Sequence, residues 1–158
     1  MSARAPRLVI GGTGSGCGKT TITCALLQAF VEQGLDTAAF KCGPDYIDPM
    51  FHSRIIGTRS RNLDAFLCGR DTVPALLQAS AGRDISVIEG VMGYYDGLAG
   101  TSSENSTADI ARLTQSPTVL VVSAKGMSLT LAALLRGFLQ FEQNTIRGVI
   151  LNGISPRM

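Results

Sequence analysis

Short runs of apolar, mostly β-branched residues recur along the chain, and longer amphipathic or polar segments separate them. Continuous apolar runs of this length are typical of strands that are buried on both faces of a parallel sheet. Five runs predict buried strands, at residues 8–12, 37–41, 85–89, 118–123 and 146–152.

Helical periodicity lies between the predicted strands. From Ile22 to Phe30, apolar residues recur at the i, i+3, i+4, i+7 and i+8 positions, and a second apolar stripe covers residues 128–141. Shorter helices are predicted at residues 71–81 and 107–114. This alternation predicts an α/β domain with a mainly parallel sheet and helices on both faces, which binds its ligand beyond the carboxyl ends of the strands.

Two long stretches, residues 42–62 and 90–106, show neither the apolar runs of a strand nor the apolar spacing of a helix, and they are predicted to be irregular. Each begins where a predicted strand ends. Loops longer than about 12 to 15 residues are uncommon in a compact domain and are usually functional, so both stretches are expected to contribute to a site.

Length and composition indicate one domain over residues 1–158, with 45% hydrophobic residues to build its core. The 14 basic and 12 acidic residues are scattered, which argues against a polybasic surface for nucleic acid or membrane. No apolar run approaches the roughly 18 residues needed to span a bilayer. The four cysteines and the one histidine support neither a zinc site nor a disulfide framework, which predicts a reducing, cytoplasmic location.

A glycine-rich segment, residues 12–21, joins the first predicted strand to the first predicted helix. Its glycines let successive N–H groups turn toward an anion, Lys19 can reach the outer phosphates, and Thr20 offers a hydroxyl to Mg²⁺. Thr13 stands where such loops usually begin with glycine, but the strand before and the helix after support the assignment. The predicted ligand is therefore a nucleoside triphosphate with Mg²⁺. The predicted phosphate-binding residues are Gly14, Ser15, Gly16, Cys17, Gly18, Lys19, Thr20 and Thr21.

Carboxylates follow two of the predicted strands, at the edge of the sheet where the phosphate loop is expected. Asp45 comes shortly after the second strand, and Glu89 ends the third. Mg²⁺ prefers oxygen ligands and is commonly held by the phosphate-loop hydroxyl and one or two carboxylates. Thr20, Asp45 and Glu89 are therefore predicted to bind the metal.

Structural alternatives stay open for several charged residues. Asp45 and Asp48 each lie beside a proline and are also typical of turns, and Lys41 could be a solvated strand end. His52 is interpreted as a packed or solvated histidine rather than as a base.

Three motifs extend this picture: Lys-x-Gly-Pro-Asp-Tyr-Ile-Asp-Pro-x-Phe-His at residues 41–52, Glu-Gly-Val-Met-Gly-x-Tyr-Asp-Gly at 89–97, and Ser-Thr-Ala-Asp-Ile-Ala at 106–111. With the phosphate loop, they resemble the synthetase domain of cobyrinic acid and hydrogenobyrinic acid a,c-diamide synthases, over nearly the whole chain. The resemblance implies a P-loop NTPase fold like that of dethiobiotin synthetase. It also implies ATP-dependent amidation of two acetate side chains of a corrin ring in cobalamin biosynthesis, through acyl phosphates that ammonia attacks.

The resemblance also implies residue roles. Lys41 would neutralise charge on the transferring phosphoryl group, and Asp96, otherwise a turn residue, would help to organise metal or substrate. Tyr46 and Ile47 would bind the corrin substrate, and Asn152 would bind adenine. The residues with implied catalytic roles are Lys19, Lys41, Asp45, Glu89 and Asp96.

Members of this family carry a C-terminal glutaminase domain with a Cys-His-Glu triad, which this sequence lacks. The chain is therefore expected to be a truncated synthetase domain or, alternatively, a separate subunit, which receives ammonia from a glutaminase domain or another source. A dethiobiotin synthetase-like carboxylation remains an alternative. So does a ParA/MinD-like nucleotide switch, although Gly14 stands where those switches have a lysine. The presence of cobalt in the corrin and the formation of a homodimer are also left open.

Overall fold

A computed structural model describes residues 6–154 of the chain, and it contains one six-stranded sheet within that range. The strand order is β3-β2-β4-β1-β5-β6, and every neighbouring pair is parallel. This confirms the predicted α/β class with a parallel sheet. The strands are β1 (Arg7–Gly12), β2 (Thr37–Cys42), β3 (Arg61–Leu63), β4 (Ile85–Glu89), β5 (Thr118–Ser123) and β6 (Ile146–Asn152).

Six α-helices cover the two faces of the described sheet. On one face, α1 and α2 pack over a core that includes Ile10 and Val87. On the other face, α3, α4 and α5 pack over Val9 and Ile88, and α6 packs beside Leu120. Successive strand residues thus point to opposite faces, as expected of a sheet that is buried on both sides. The helices are α1 (Lys19–Glu32), α2 (Ile47–Ile56), α3 (Ala65–Cys68), α4 (Thr72–Gln78), α5 (Thr107–Leu113) and α6 (Thr130–Gln140).

The prediction of an irregular stretch at residues 42–62 is wrong, because this stretch contains α2 and most of β3. The proline at position 49 favoured a turn in the sequence. It lies in the first turn of α2, where a missing N–H costs nothing. Strand β3 has three residues, too few to show a period. The second stretch, 90–106, is irregular apart from a 3₁₀ turn at Leu98–Gly100.

The loop after β4 is anchored against the glycine-rich loop by Tyr94, which is fully buried. The Tyr94 N–H donates to the carbonyl of Gly12, and the Tyr94 carbonyl accepts from the N–H of Ala108 in α5. A Cβ on Gly11 would lie 2.8 Å from the Tyr94 ring, so this close approach requires glycine. Within residues 6–154, no helix is long and apolar enough to cross a membrane.

Candidate nucleotide and metal site

The glycine-rich loop forms the turn between β1 and α1. Gly16 and Gly18 have φ angles of +73° and +105°, which glycine adopts at little cost. Gly18 is the N-cap of α1 and has no side chain to accept from the N–H groups of the first helical turn. The start of α1 is thus arranged to bind an anion through its backbone.

Lys19 begins α1 and is 7% exposed. Its Nζ donates to the carbonyls of Gly14, at 2.9 Å, and Met92, at 2.6 Å. Met92 has a φ of +47°, unusual for a residue with a side chain. Burial lowers the pKa of Lys19, and the charge of Lys41 acts in the same direction. The loop after β4 therefore presents a backbone carbonyl to the lysine of the phosphate loop.

Asn152, at the end of β6, lies against the same loop. Its side-chain Nδ2 donates to the carbonyl of Cys17 at 3.0 Å. A Cβ on Gly18 would come within 2.3 Å of that nitrogen. The sequence predicted that Asn152 binds adenine; the structure places it beside the loop, with its amide nitrogen bonded to the protein backbone.

A buried cluster of charged residues lies at the carboxyl ends of β2 and β4, and we call Lys41, Asp48 and Glu89 the ion cluster. Lys41 Nζ lies 3.0 Å from Glu89 Oε1 and 2.6 Å from Asp48 Oδ2, and it donates to the Gly90 carbonyl at 3.0 Å. Thr20 Oγ1 donates to Glu89 Oε1 at 2.6 Å and lies 3.4 Å from Asp48 Oδ2. The cluster thus touches the phosphate loop through its threonine hydroxyl.

Lys41 and Glu89, the two most buried members of the ion cluster, shift each other's pKa. Burial alone would raise the pKa of Glu89, but hydrogen bonding from His52, the charge of Lys41 and the Thr20 hydroxyl together hold the pKa below its ordinary value. Burial alone would lower the pKa of Lys41, but the carboxylates of Glu89 and Asp48 raise it above its ordinary value. Both side chains are therefore charged at neutral pH.

His52 completes the surroundings of Glu89 from the α2 side. Its Nε2 lies 2.7 Å from Glu89 Oε2, and both side chains are fully buried. Its Nδ1 lies 3.3 Å from Ser60 Oγ. The sequence interpretation of His52 as a packed residue missed this contact. The signal that could have found it is the i, i+4 spacing of Asp48 and His52, which places both on one face once α2 is a helix.

Asp45, predicted to bind metal, lies at the start of α2. Its Oδ1 accepts from the N–H groups of Ile47, at 2.8 Å, and Asp48, at 3.3 Å. Its Oδ2 lies 3.9 Å from Lys41 Nζ. Asp45 thus caps the turn into α2, whereas Asp48 makes the shorter contacts with Lys41 and Thr20.

Asp96, given a catalytic role by the resemblance, lies in the loop after β4. Its Oδ2 accepts from the Gly93 N–H at 2.8 Å, and its own N–H donates to the Gly93 carbonyl. A Cβ on Gly93 would lie 2.5 Å from Asp96 Oδ2. These contacts match the turn alternative. The exposed Asp96 side chain bonds within the loop after β4, the loop whose Met92 carbonyl accepts from Lys19.

Tyr46 and Ile47, predicted to bind substrate, are 88% and 66% exposed at the start of α2. Beside them, an open groove of about 780 Å³ runs between α2 and β3. Its lining includes Tyr46, Met50 and the arginines Arg54 and Arg61. Tyr46 therefore lines a space large enough for a sizeable ligand, whereas Ile47 follows it in the chain but does not line the groove.

Asp109, in the third motif, was not predicted as a site residue. It is 3% exposed and forms two hydrogen bonds with the guanidinium of Arg70, at 2.6 and 2.9 Å. It also accepts from the Asn105 N–H at 2.9 Å. Burial alone would raise the pKa of Asp109, but the hydrogen bonds from Arg70 and Asn105 lower it. This carboxylate ties the end of the second long loop to the start of α5.

The side-chain oxygens near Thr20 are too few to hold a metal ion by themselves, and further oxygen ligands would have to complete its shell. Among residues 6–154, no group of three His, Cys, Asp or Glu side chains is arranged to hold a metal ion. The hydroxyl of Thr20 and the carboxylates of Glu89 and Asp48 are oxygen donors of the kind that Mg²⁺ takes when phosphate and water complete its shell. The residues therefore fit Mg²⁺ bound together with a nucleotide.

Comparison with known families gives a direct match. The model of the CobQ/CobB/MinD/ParA nucleotide binding domain family matches residues 8–158. The chain belongs to this family. The matched range includes the glycine-rich loop, β2 to β6 and nearly all of β1.

Curated relatives resemble the chain over nearly its whole length. It is 48% identical over 152 residues to a hydrogenobyrinate a,c-diamide synthase of Streptomyces coelicolor, and 46% identical over 153 residues to a cobyrinate a,c-diamide synthase of Thermoplasma volcanium. These matches cover 95% and 96% of this chain but only 31% and 34% of the two relatives. The chain thus spans about a third of the length of these relatives.

Solved structures of the same fold are more distant in sequence. The kinase domain of the Escherichia coli tyrosine kinase ETK superimposes with a TM-score of 0.66 at 16% identity, over 99% of this chain and 71% of that one. The signal recognition particle 54 kDa protein of Aeropyrum pernix, in complex with GDP, gives 0.66 at 14% identity, over 98% and 37%. These likenesses show the P-loop NTPase fold alone.

Proposed function

We propose that the chain is the ATP-binding synthetase domain of an enzyme that amidates the a and c acetate carboxylates of cobyrinic or hydrogenobyrinic acid. The relatives named a,c-diamide synthases support the substrate class. The observation that carries the proposal is that Glu89 Oε1 accepts from both Thr20 and Lys41, because these bonds join the phosphate loop to the carboxyl ends of β2 and β4.

Chemistry on a carboxylate explains why the cluster is ionic. A substrate carboxylate is already ionised at neutral pH, so its phosphorylation needs no base; it needs neutralisation of the charge on the transferring phosphoryl group. Lys19, which precedes Thr20 in the chain, and Lys41, which shares Glu89 Oε1 with Thr20, supply buried positive charge. Thr20, Glu89 and Asp48, with Asp45 nearby, would hold Mg²⁺, which when bound neutralises phosphate charge. Ammonia then attacks the acyl phosphate, and phosphate leaves.

The nitrogen donor is proposed to be ammonia, delivered by a glutaminase domain or from solution. Glutamine hydrolysis by a cysteine needs a thiolate beside a base. The one histidine of the sequence, His52, is bonded to Glu89 and Ser60. Burial raises the pKa of the Cys42 thiol to about 12. Within residues 6–154, the one histidine is therefore bonded to Glu89 and Ser60 rather than placed as such a base. A cytoplasmic location stays a prediction from the sequence, and the formation of a homodimer is left open.

The proposal is tested by incubating the full protein with ATP, Mg²⁺, an ammonium salt and either cobyrinic or hydrogenobyrinic acid. We expect ADP release that depends on the corrinoid and an amide product detected by mass spectrometry, with one ADP per amide. As a matched variant, Glu89→Gln keeps the shape and removes the charge, so it should abolish most of the turnover while the protein stays folded. ATP hydrolysis that no corrinoid stimulates, accompanied by ATP-dependent dimerisation, would instead favour the nucleotide switch.

A further inference from the structure

His52 lies at the centre of a chain of hydrogen bonds that runs from α2 to β4. On one side, Nε2 lies 2.7 Å from Glu89 Oε2. On the other, Nδ1 lies 3.3 Å from Ser60 Oγ, which is itself 3.1 Å from the carbonyl of Ala39 in β2. The imidazole is fully buried. It is thus bonded to Glu89 through Nε2, with Nδ1 beside the Ser60 hydroxyl, rather than packed as an apolar side chain.

The position of the proton on Nε2 follows from the partners of Glu89. The other carboxylate oxygen, Oε1, already accepts from Thr20 Oγ1 and Lys41 Nζ. Glu89 is therefore an acceptor at both oxygens, and the 2.7 Å contact requires that His52 donates from Nε2.

Ser60 is in turn held by α2, so the ring cannot turn freely. The Ser60 N–H donates to Ser53 Oγ at 2.9 Å, and Ser53 Oγ donates to the Pro49 carbonyl at 2.6 Å. Ser60 is therefore held against the helix that carries both Asp48 and His52.

This arrangement has a consequence for Glu89. A glutamate carboxylate rotates easily about its last torsion angle. With Oε2 bonded to His52, the plane of the carboxylate is fixed and Oε1 points to Thr20. Because Asp48 and His52 lie one helical turn apart, the same contact also fixes where α2 presents Asp48 to Lys41.

We propose that His52 is a positioning residue that orients the Glu89 carboxylate for magnesium binding beside Thr20. His52 acts through Glu89 and does not touch the nucleotide or the substrate. The inference rests on the proposed function to the extent that Glu89 binds Mg²⁺ together with a nucleotide. It does not depend on the identity of the corrinoid.

The test measures the Mg²⁺ dependence of nucleotide binding in the full protein. Binding of a non-hydrolysable ATP analogue is followed by calorimetry across a Mg²⁺ titration and again in excess chelator. Loss of the partner that orients a metal ligand typically lowers metal affinity by about 10- to 100-fold, so the Mg²⁺ midpoint should rise by this factor in His52→Leu. Affinity for the analogue in chelator should stay close to that of the wild type.

The matched variant is His52→Gln, which keeps an N–H donor at a similar reach. It should recover most of the Mg²⁺ affinity that His52→Leu loses. A purely structural role would lower thermal stability in both variants and leave the Mg²⁺ midpoint unchanged. A folded His52→Leu protein with the wild-type midpoint therefore overturns the inference.

A smaller change covers the case in which His52→Leu does not fold. Ser60→Ala removes the hydroxyl that lies against Nδ1 and so loosens the seat of the ring, which should raise the Mg²⁺ midpoint in the same direction by a smaller factor. If Ser60→Ala also binds Mg²⁺ as the wild type does, the inference is wrong. A wild-type protein whose analogue binding ignores Mg²⁺ contradicts the proposed metal site instead, so the two failures are distinguishable.

Discussion

Replacing Lys41 by methionine tests whether the ion cluster is a genuinely buried charge pair. Lys41 is 3% exposed and Glu89 fully buried, so the substitution leaves a buried carboxylate without its cation. Removing one partner of a buried pair costs about 3 to 5 kcal/mol. Glu89 keeps its hydrogen bonds with Thr20 and His52, and the Asp48 side chain, 18% exposed, can regain water. We therefore expect Lys41→Met to lose about 3 kcal/mol of unfolding free energy, the lower end of this range.

The assay is urea denaturation of the 158-residue chain in chelator, followed by far-ultraviolet circular dichroism. The control is Arg83→Met, which removes an exposed ion pair with Asp36 and should cost about 1 kcal/mol or less. The double variant Lys41→Met/Glu89→Gln should be more stable than the sum of the two single losses predicts, because it contains no unpaired buried charge at these two positions. A Lys41→Met variant no less stable than the control, or strictly additive losses, would refute the buried pair.

The pKa shifts of Glu89 and Lys41 set how the stability of the protein depends on pH. The folded pKa of Glu89 is lowered, so its contribution is complete above the ordinary glutamate value and is lost as the pH falls through the folded value. The folded pKa of Lys41 is raised, so its contribution is complete below the ordinary lysine value and is lost as the pH rises through the folded value. The stability gap between wild type and Lys41→Met should therefore be widest between those two ordinary values and should narrow in acid.

Three further predictions concern the phosphate loop and the third motif. Gly18→Ala, at a φ of +105°, should weaken binding of an ATP analogue about tenfold or more by calorimetry. As a control, Gly137→Ala, on the exposed side of α6 where a Cβ meets open space, should bind as the wild type does. Lys19→Ala should cost about 1.5 to 3 kcal/mol of analogue binding, as expected for a hydrogen bond to a charged group, and unchanged affinity would contradict its role. Asp109→Asn should cost about 1 to 3 kcal/mol of unfolding free energy and speed proteolysis of the loop before α5, because it weakens the pairing with Arg70; equal proteolysis rates would count against this anchor.

The parts of the fold that were predictable depend on local pattern. The run before Gly12 and the stripe after Lys19 are each visible within one element, so β1, α1 and the loop between them follow from the sequence. Helix α2 does not, because His52 is its one buried residue, and its exposed side carries apolar residues such as Ile47 and Met50. An amphipathic pattern is therefore absent, and packing against α1 and β2 decides the structure.

The site divides in the same way. Glu89 was predictable because a carboxylate at the end of an apolar strand needs a cation or donors. The contact of His52 with Glu89 was not predictable, because the two residues are 37 positions apart and meet only once α2 packs on the sheet. Asp45 and Asp48 differ by three positions and have similar sequence signals, and only the path of the turn decides which one faces Lys41.

The bond between Lys19 and the Met92 carbonyl makes the phosphate loop and the loop after β4 compete for one ammonium group. Any anion that attracts Lys19 away also removes the partner that helps to hold Met92 in a left-handed conformation, which costs about 1 to 3 kcal/mol for a residue with a side chain. A phosphate bound to the loop and the Met92 carbonyl are thus alternative partners of the same ammonium group.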